Sequence, residues 1–171
     1  MASLPIFITA VANSPDEPAF PLLFTWSTHE AQIKEVLVIP DDEWLEDHTI
    51  EPNALDIMEQ QLYEFGFEAS DILAEWINEF DTDVIYALDP ETLSILIEAT
   101  YDIKGLEPSF EVQSIYSWFE ERDVNLNEAI ATQGNHTPLH LLAPDEQISQ
   151  LLHIAAEHSL IDPSDLPPLE H

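Results

Sequence analysis

Three short runs of apolar and β-branched residues, packed into the first forty positions and separated by turn-forming residues, dictate how this chain can begin to fold. Pro5-Ile6-Phe7-Ile8-Thr9-Ala10-Val11 is the first. The turn signal Asn13-Ser14-Pro15-Asp16 separates it from a second run over residues 20–28, and residues 33–39 make the third. Branching at Cβ restricts χ1 and suits a pleated surface, so each run is expected as a strand. Connections this short favour an antiparallel meander. In the third run Ile33, Glu35, Leu37 and Ile39 alternate with Lys34, Val36 and Val38, the pattern of a sheet covered on at least one side.

Beyond residue 50 the apolar spacing changes to three and four. Asn53 is placed to cap a helix running to about Phe65, with Leu55, Met58, Leu62 and Phe65 on one side and Gly66 as its stop. Ser70 opens a second helix, in which Ile72, Leu73, Trp76, Ile77 and Phe80 make a broad apolar face and Asp71, Glu75 and Glu79 turn toward water. Val84-Ile85-Tyr86-Ala87-Leu88 reads as a buried strand, and Asp89-Pro90 as the start of a helix reaching Tyr101. A short strand over residues 109–112, a helix over 115–121 and a last helix over 144–158 complete the order. That order is α/β with a mixed sheet: the three-strand meander comes first, the later strands return through right-handed helical crossovers, and helices flank the sheet. Residues 1–162 are expected as one domain. Pro163, Pro167 and Pro168 mark residues 163–171 as a tail, whose Leu169-Glu170-His171 resembles the remnant of an expression tag.

Charge decides which partners are open to such a fold. The chain carries 35 Asp and Glu against Lys34, Lys104 and Arg122, a formal charge of −32 on 171 residues. Nucleic-acid binding gains affinity when Lys and Arg displace condensed counterions, and three scattered cations cannot line a phosphate-tracking groove. Cations and basic proteins are attracted instead. With 45% hydrophobic residues the chain still has enough apolar side chains for a core. Self-repulsion lowers stability at low ionic strength, where the Debye length reaches about 30 Å at 0.01 M, so added salt is expected to stabilise. A salt-adapted proteome would produce similar acidity, although adaptation alone does not require the loss of nearly all arginine. The absence of cysteine excludes disulfides, thiolate metal sites and cysteine nucleophiles. No basic leader and no long apolar run is found, which points to a cytoplasmic protein without a membrane segment.

Taken in order, particular segments resemble the ribonuclease H-like superfamily, and within it the 3′-5′ exonucleases that use four acidic residues and a histidine. The first run is similar to their first strand, and Glu35-Val36-Leu37-Val38-Ile39-Pro40-Asp41-Asp42-Glu43-Trp44 to their third strand and its exit. Leu88-Asp89-Pro90-Glu91-Thr92-Leu93 resembles the segment in which an aspartate opens the helix after the fourth strand, and His140-Leu141-Leu142-Ala143-Pro144-Asp145 has the histidine-to-aspartate separation. The resemblance implies a centre in which two divalent cations, Mg²⁺ or Mn²⁺, drive an in-line phosphoryl displacement and are bridged by carboxylates of the first strand. It carries Asp89, His140 and Asp145 onto catalytic positions, with Asp89 and Asp145 as metal ligands. The two bridging positions fall on Thr9 and Val11, or, if the second run is matched instead, on Thr25 and Ser27. None of the four side chains can replace a bridging carboxylate.

Most of these residues have a plainer explanation. Asp89 before Pro90 suffices as a helix N-cap. Asp145 suits the first turn of a helix by its charge alone, and His140 suits a loop. His136 and His140 are one helical turn apart, but Pro138 between them argues against a helical metal pair. Trp76 and Trp118 fall on apolar helical faces. The acidic run with Asp41, Asp42, Glu43 and Trp44 is expected as a solvated loop, with Trp44 as a candidate exposed anchor for a partner.

The expectation is therefore a catalytically inactive exonuclease-like protein that presents an acidic surface to a basic protein partner and needs no cofactor. Two alternatives stand beside it. One is an active exonuclease with a rearranged acidic site that takes Mg²⁺ or Mn²⁺. The other is a nucleic-acid mimic that blocks a DNA-binding protein.

Overall fold

The three runs pair as their spacing demands. In the computed structural model, which describes residues 5–14, 17–28, 32–51, 59–80, 83–132 and 143–161, β1 (Ile8–Ala12), β2 (Pro21–Ser27) and β3 (Ile33–Leu37) form an antiparallel sheet with β2 in the middle. Every residue of β2 is buried, the mark of a strand covered on both faces. A second, parallel pair is made by β4 (Val84–Ala87) and β5 (Glu111–Ser114). One parallel bridge, Phe7 with Tyr86, lays β4 beside β1 and is closed by the Tyr86 N–H donating to the Ile6 carbonyl at 2.9 Å. The strands thus lie in the order β3-β2-β1-β4-β5.

Alternation along the strands sends side chains to two cores. On one side Ile6 and Ile8, then Phe20, Leu22, Phe24 and Trp26, pack against α2 (Glu59–Phe65), α3 (Ala69–Glu79) and α4 (Pro90–Asp102). On the other, Phe7 packs with α5 (Ile115–Glu120), α6 (Leu126–Thr132) and α7 (Pro144–Glu157). Each fully buried Leu or Ile of α7, such as Leu151 or Ile148, contributes roughly 1.5–3 kcal/mol of transfer free energy. The first core is rich in rings: Trp76 stacks on Phe80 at 5.5 Å and meets Phe24 edge-on at 4.8 Å. Among the described residues the fully buried Trp76 indole N–H has no hydrogen-bond partner, a local cost of about 1–3 kcal/mol.

Several elements differ from the sequence expectation. β5 lies two residues later than residues 109–112. The acidic run is not a loop but a helix, α1 (Asp42–Asp47), capped by the Asp41 carboxylate, which accepts from the Glu43 N–H at 2.9 Å. α6 was not evident from apolar spacing; Asn125 caps it by accepting from the Glu128 N–H at 3.1 Å. Ile77 is 68% exposed and Phe65 64% exposed, so neither belongs to the apolar face expected of it. Ile77 sits at the far edge of the stripe set by Ile72, Leu73 and Trp76, beyond what the sheet covers. Asn53, Leu55 and Met58 lie outside the described residues.

Candidate functional site

β1 lies beside β4 through the Phe7–Tyr86 bridge and reaches α7 through Thr9. Phe7, Thr9 and Val11 share the α7 face of β1 by alternation, and the Thr9 hydroxyl donates to Oε1 of Gln147 at 3.4 Å. With Phe7 opposite Tyr86 in parallel register, Thr9 comes beside Leu88, and Asp89 follows where the chain enters α4. Thr9 is tied to α7 by its bond to Gln147, while Asp89 stands at the N-cap of α4 and Asp145 in the first turn of α7. His140 and His136 lie outside the described residues.

Each of these side chains has a local structural partner or position. Asp89 is the N-cap of α4: one carboxylate oxygen accepts from the Thr92 N–H at 3.2 Å and the other from the Thr92 hydroxyl at 2.7 Å. Asp145 is exposed in the first turn of α7, where no side chain caps the helix, and the carboxylates of Asp145 and Glu146 complement its positive end. Across the sheet, Thr9 pairs with Thr25 and Thr25 with Glu35. The Thr25 hydroxyl donates to Glu35 at 3.1 Å. Glu35 is the one carboxylate of that row, and it stands two strand spacings, about 9.6 Å, from Thr9. A pair of catalytic cations sits only about 4 Å apart and needs acids at both ions. Ser27 is also engaged, accepting from the Phe7 N–H at 2.9 Å. Among the described residues no three of His, Asp and Glu gather as a metal-ligand group. A hydroxyl, an isopropyl group and an occupied cap do not fit a carboxylate-bridged two-metal centre.

The acidic run requires a correction. Trp44 is not an exposed anchor: it is 8% exposed and stacks on Phe20 at 5.3 Å with the rings 6° from parallel. The i, i+3 geometry of α1 turns the indole inward while Asp42 and Glu43 remain in water. Those two carboxylates, with Glu46 and Asp47, stand exposed on α1 beside the Asp41 cap.

Two of the three cations are tied within the fold. Lys34 bridges from β3 to α3, donating to Glu75 at 2.8 Å and to Glu79. Its amine is held above the ordinary lysine value by these hydrogen bonds, chiefly the one it donates to Glu75, and Glu75 is held below the ordinary glutamate value by Lys34. The other oxygen of Glu79 accepts from the Trp26 indole N–H at 2.7 Å, so Glu79 is not the water-facing residue expected of it. Arg122 lies 4.2 Å over the Trp118 ring and donates to the Trp118 carbonyl at 2.8 Å. Lys104 stands exposed in the turn after α4. The Lys34 clamp was readable in principle: one lysine on a strand, and two glutamates at i, i+4 on the helix that must cover it. Gln147 was not, because a glutamine near a helix start carries no distinctive signal.

No protein-family model matches the chain, and no curated protein matches it. Among the described residues no helix is long and apolar enough to cross a membrane.

Proposed function

We propose that this chain is a ribonuclease H-like scaffold of the 3′-5′ exonuclease type that has lost phosphoryl transfer and presents an anionic surface to a basic protein partner. Support for the scaffold comes from the strand order, an antiparallel meander whose first strand lies parallel to a helix-linked pair. The observation that carries the loss of catalysis is the identity of Thr9 and Val11 on β1, together with an Asp89 whose carboxylate already caps α4. Electrostatics act in the same direction. Single-stranded nucleic acid is held by basic grooves and stacking aromatics, and here Lys34 and Arg122 are engaged by neighbouring side chains of a chain with charge −32.

The test is incubation of the purified protein with Mg²⁺ or Mn²⁺ and a 5′-labelled single strand. No shortening from the 3′ end is expected. Shortening that disappears in Asp145→Ala would overturn the proposal in favour of a rearranged, active site.

A further inference from the structure

Among the described residues the outer edge of β3 is unpaired upstream of Phe67, and a groove runs beside it. Lys34, Val36 and Val38 direct their backbone groups to β2, as in the Val38 N–H to Leu22 carbonyl bond of 2.9 Å. Ile33, Glu35 and Leu37 therefore direct theirs outward. Phe67 takes up the far end of this edge, donating to the Leu37 carbonyl at 2.8 Å and accepting from the Ile39 N–H at 3.0 Å. Upstream of it, the N–H and C=O groups of Ile33 and Glu35 and the N–H of Leu37 have no partner among the described residues. Such a row is a template for another strand. β3 also lacks the usual protection of an outward lysine or a proline, since Lys34 is drawn over α3.

Between β3 and α3 lies a groove of about 400 Å³. Trp26, Val36, Phe67 and Ile72 line it, and Asp71 and Glu75 stand among its polar residues. A strand added to β3 sends every second side chain, about 6.6 Å apart, to this side of the sheet. Charge selects the occupant. Lys34 already faces two glutamates, so Asp71 and the surrounding field of a chain with charge −32 remain to be balanced. A second copy of this chain, or a nucleic acid, brings more negative charge to that edge. A basic segment is drawn to it.

On the reading that the protein serves a basic partner, on which this inference rests, we infer that the open edge of β3 and the groove beside it take an extended segment of that partner as an added strand. Its alternate side chains are apolar into the groove and Lys or Arg toward the acids.

The test uses a fluorescein-labelled peptide of about eight residues alternating Lys and Val, and the same peptide with every backbone amide N-methylated, which keeps charge and side chains but removes the N–H groups of both edges. Fluorescence anisotropy at low salt, about 0.05 M, is expected to show saturable one-to-one binding of the first and at least about tenfold weaker binding of the second. Ala74→Trp, which fills the groove from an exposed helical position, and Glu35→Pro, which removes an outward N–H and the side-chain bond to Thr25 but leaves the backbone bonds to β2, should each weaken binding by about tenfold. If Glu35→Pro does not fold, Ala74→Trp decides alone. Equal binding of the two peptides, or wild-type binding by Ala74→Trp, overturns strand addition and leaves the acidic-surface proposal standing. Binding of neither peptide overturns both. Dimerisation abolished by Glu35→Pro assigns the edge to a second copy and overturns the basic partner.

Discussion

Replacing Asn13 by alanine should cost far more than its place in a turn suggests. Asn13 is 2% exposed and sits two residues beyond Val11, where β1 leaves the sheet. Its Oδ1 accepts from the Ala19 N–H at 2.9 Å and the Phe20 N–H at 3.2 Å, and its Nδ2 donates to the Thr49 carbonyl at 2.9 Å. Truncation leaves the buried Phe20 N–H without an acceptor, at about 1–3 kcal/mol. The Ala19 N–H and Thr49 carbonyl reach water more readily and lose about 0.5–1 kcal/mol each. The sum is about 2–5 kcal/mol, a large share of the 5–15 kcal/mol typical of a domain. Urea denaturation followed by tryptophan fluorescence, with a slope of about 2–3 kcal/mol/M, should show the midpoint falling by about 1–2 M. Ser14→Ala is the control, because among the described residues the Ser14 hydroxyl only accepts from the N–H of exposed Glu17 at 3.1 Å, and it should cost under about 1 kcal/mol. If Asn13→Ala proves no more destabilising than Ser14→Ala, the buried amide does not fix the exit of β1.

Gly66→Ala should destabilise by about 1–3 kcal/mol in the same urea assay, because a Cβ at that position lands on the Leu62 carbonyl oxygen and presses on Ile39. Asp89→Ala should cost about 1 kcal/mol, and Asp89→Asn, which retains an accepting oxygen, only a few tenths; an equal loss in both would show that the carboxylate does more than cap α4. The Lys34 clamp predicts a pH window. Because the lysine value is raised in the fold, its contribution is complete below the ordinary 10.5 and is lost as pH rises through the raised value. Because the Glu75 value is lowered, its contribution is present above the ordinary 4.5 and is lost as pH falls through the lowered value. The stability difference between wild type and Lys34→Met, about 0.5–1 kcal/mol for so exposed a pair, should therefore be flat between those limits and shrink outside them. A difference that does not vary with pH contradicts the clamp.

The meander is legible in the sequence because Asn13 and its neighbours punctuate runs of β-branched residues, and α3, α4 and α7 are legible because their apolar residues keep helical spacing. What escapes is decided by contacts distant in sequence. The spacing of Asp41 to Asp47 reads as solvated loop, and only the ring of Phe20, twenty-four residues before Trp44, draws that segment into a helix with its indole inward. Asn125 with Glu128 is a readable cap, but seven residues with two buried side chains, Leu126 and Ala129, give little apolar signal. Glu79 looks like a surface acid until Lys34 and Trp26 arrive from the sheet. At the candidate site the residue identities of Thr9 and Val11 are plain in the sequence. The placing of β1 beside β4 depends on a single parallel bridge, and its tie to α7 on the Thr9–Gln147 bond, neither of which a local pattern encodes.

The central claim concerns the carboxyl end of β1, and crystals of the protein grown with Mn²⁺ test it by anomalous diffraction. An acidic surface will collect isolated, scattered ions, and the account predicts no pair of them beside Thr9 and Val11. Two manganese peaks about 4 Å apart at that end of the sheet, with Asp89 or Asp145 as ligands, would contradict it.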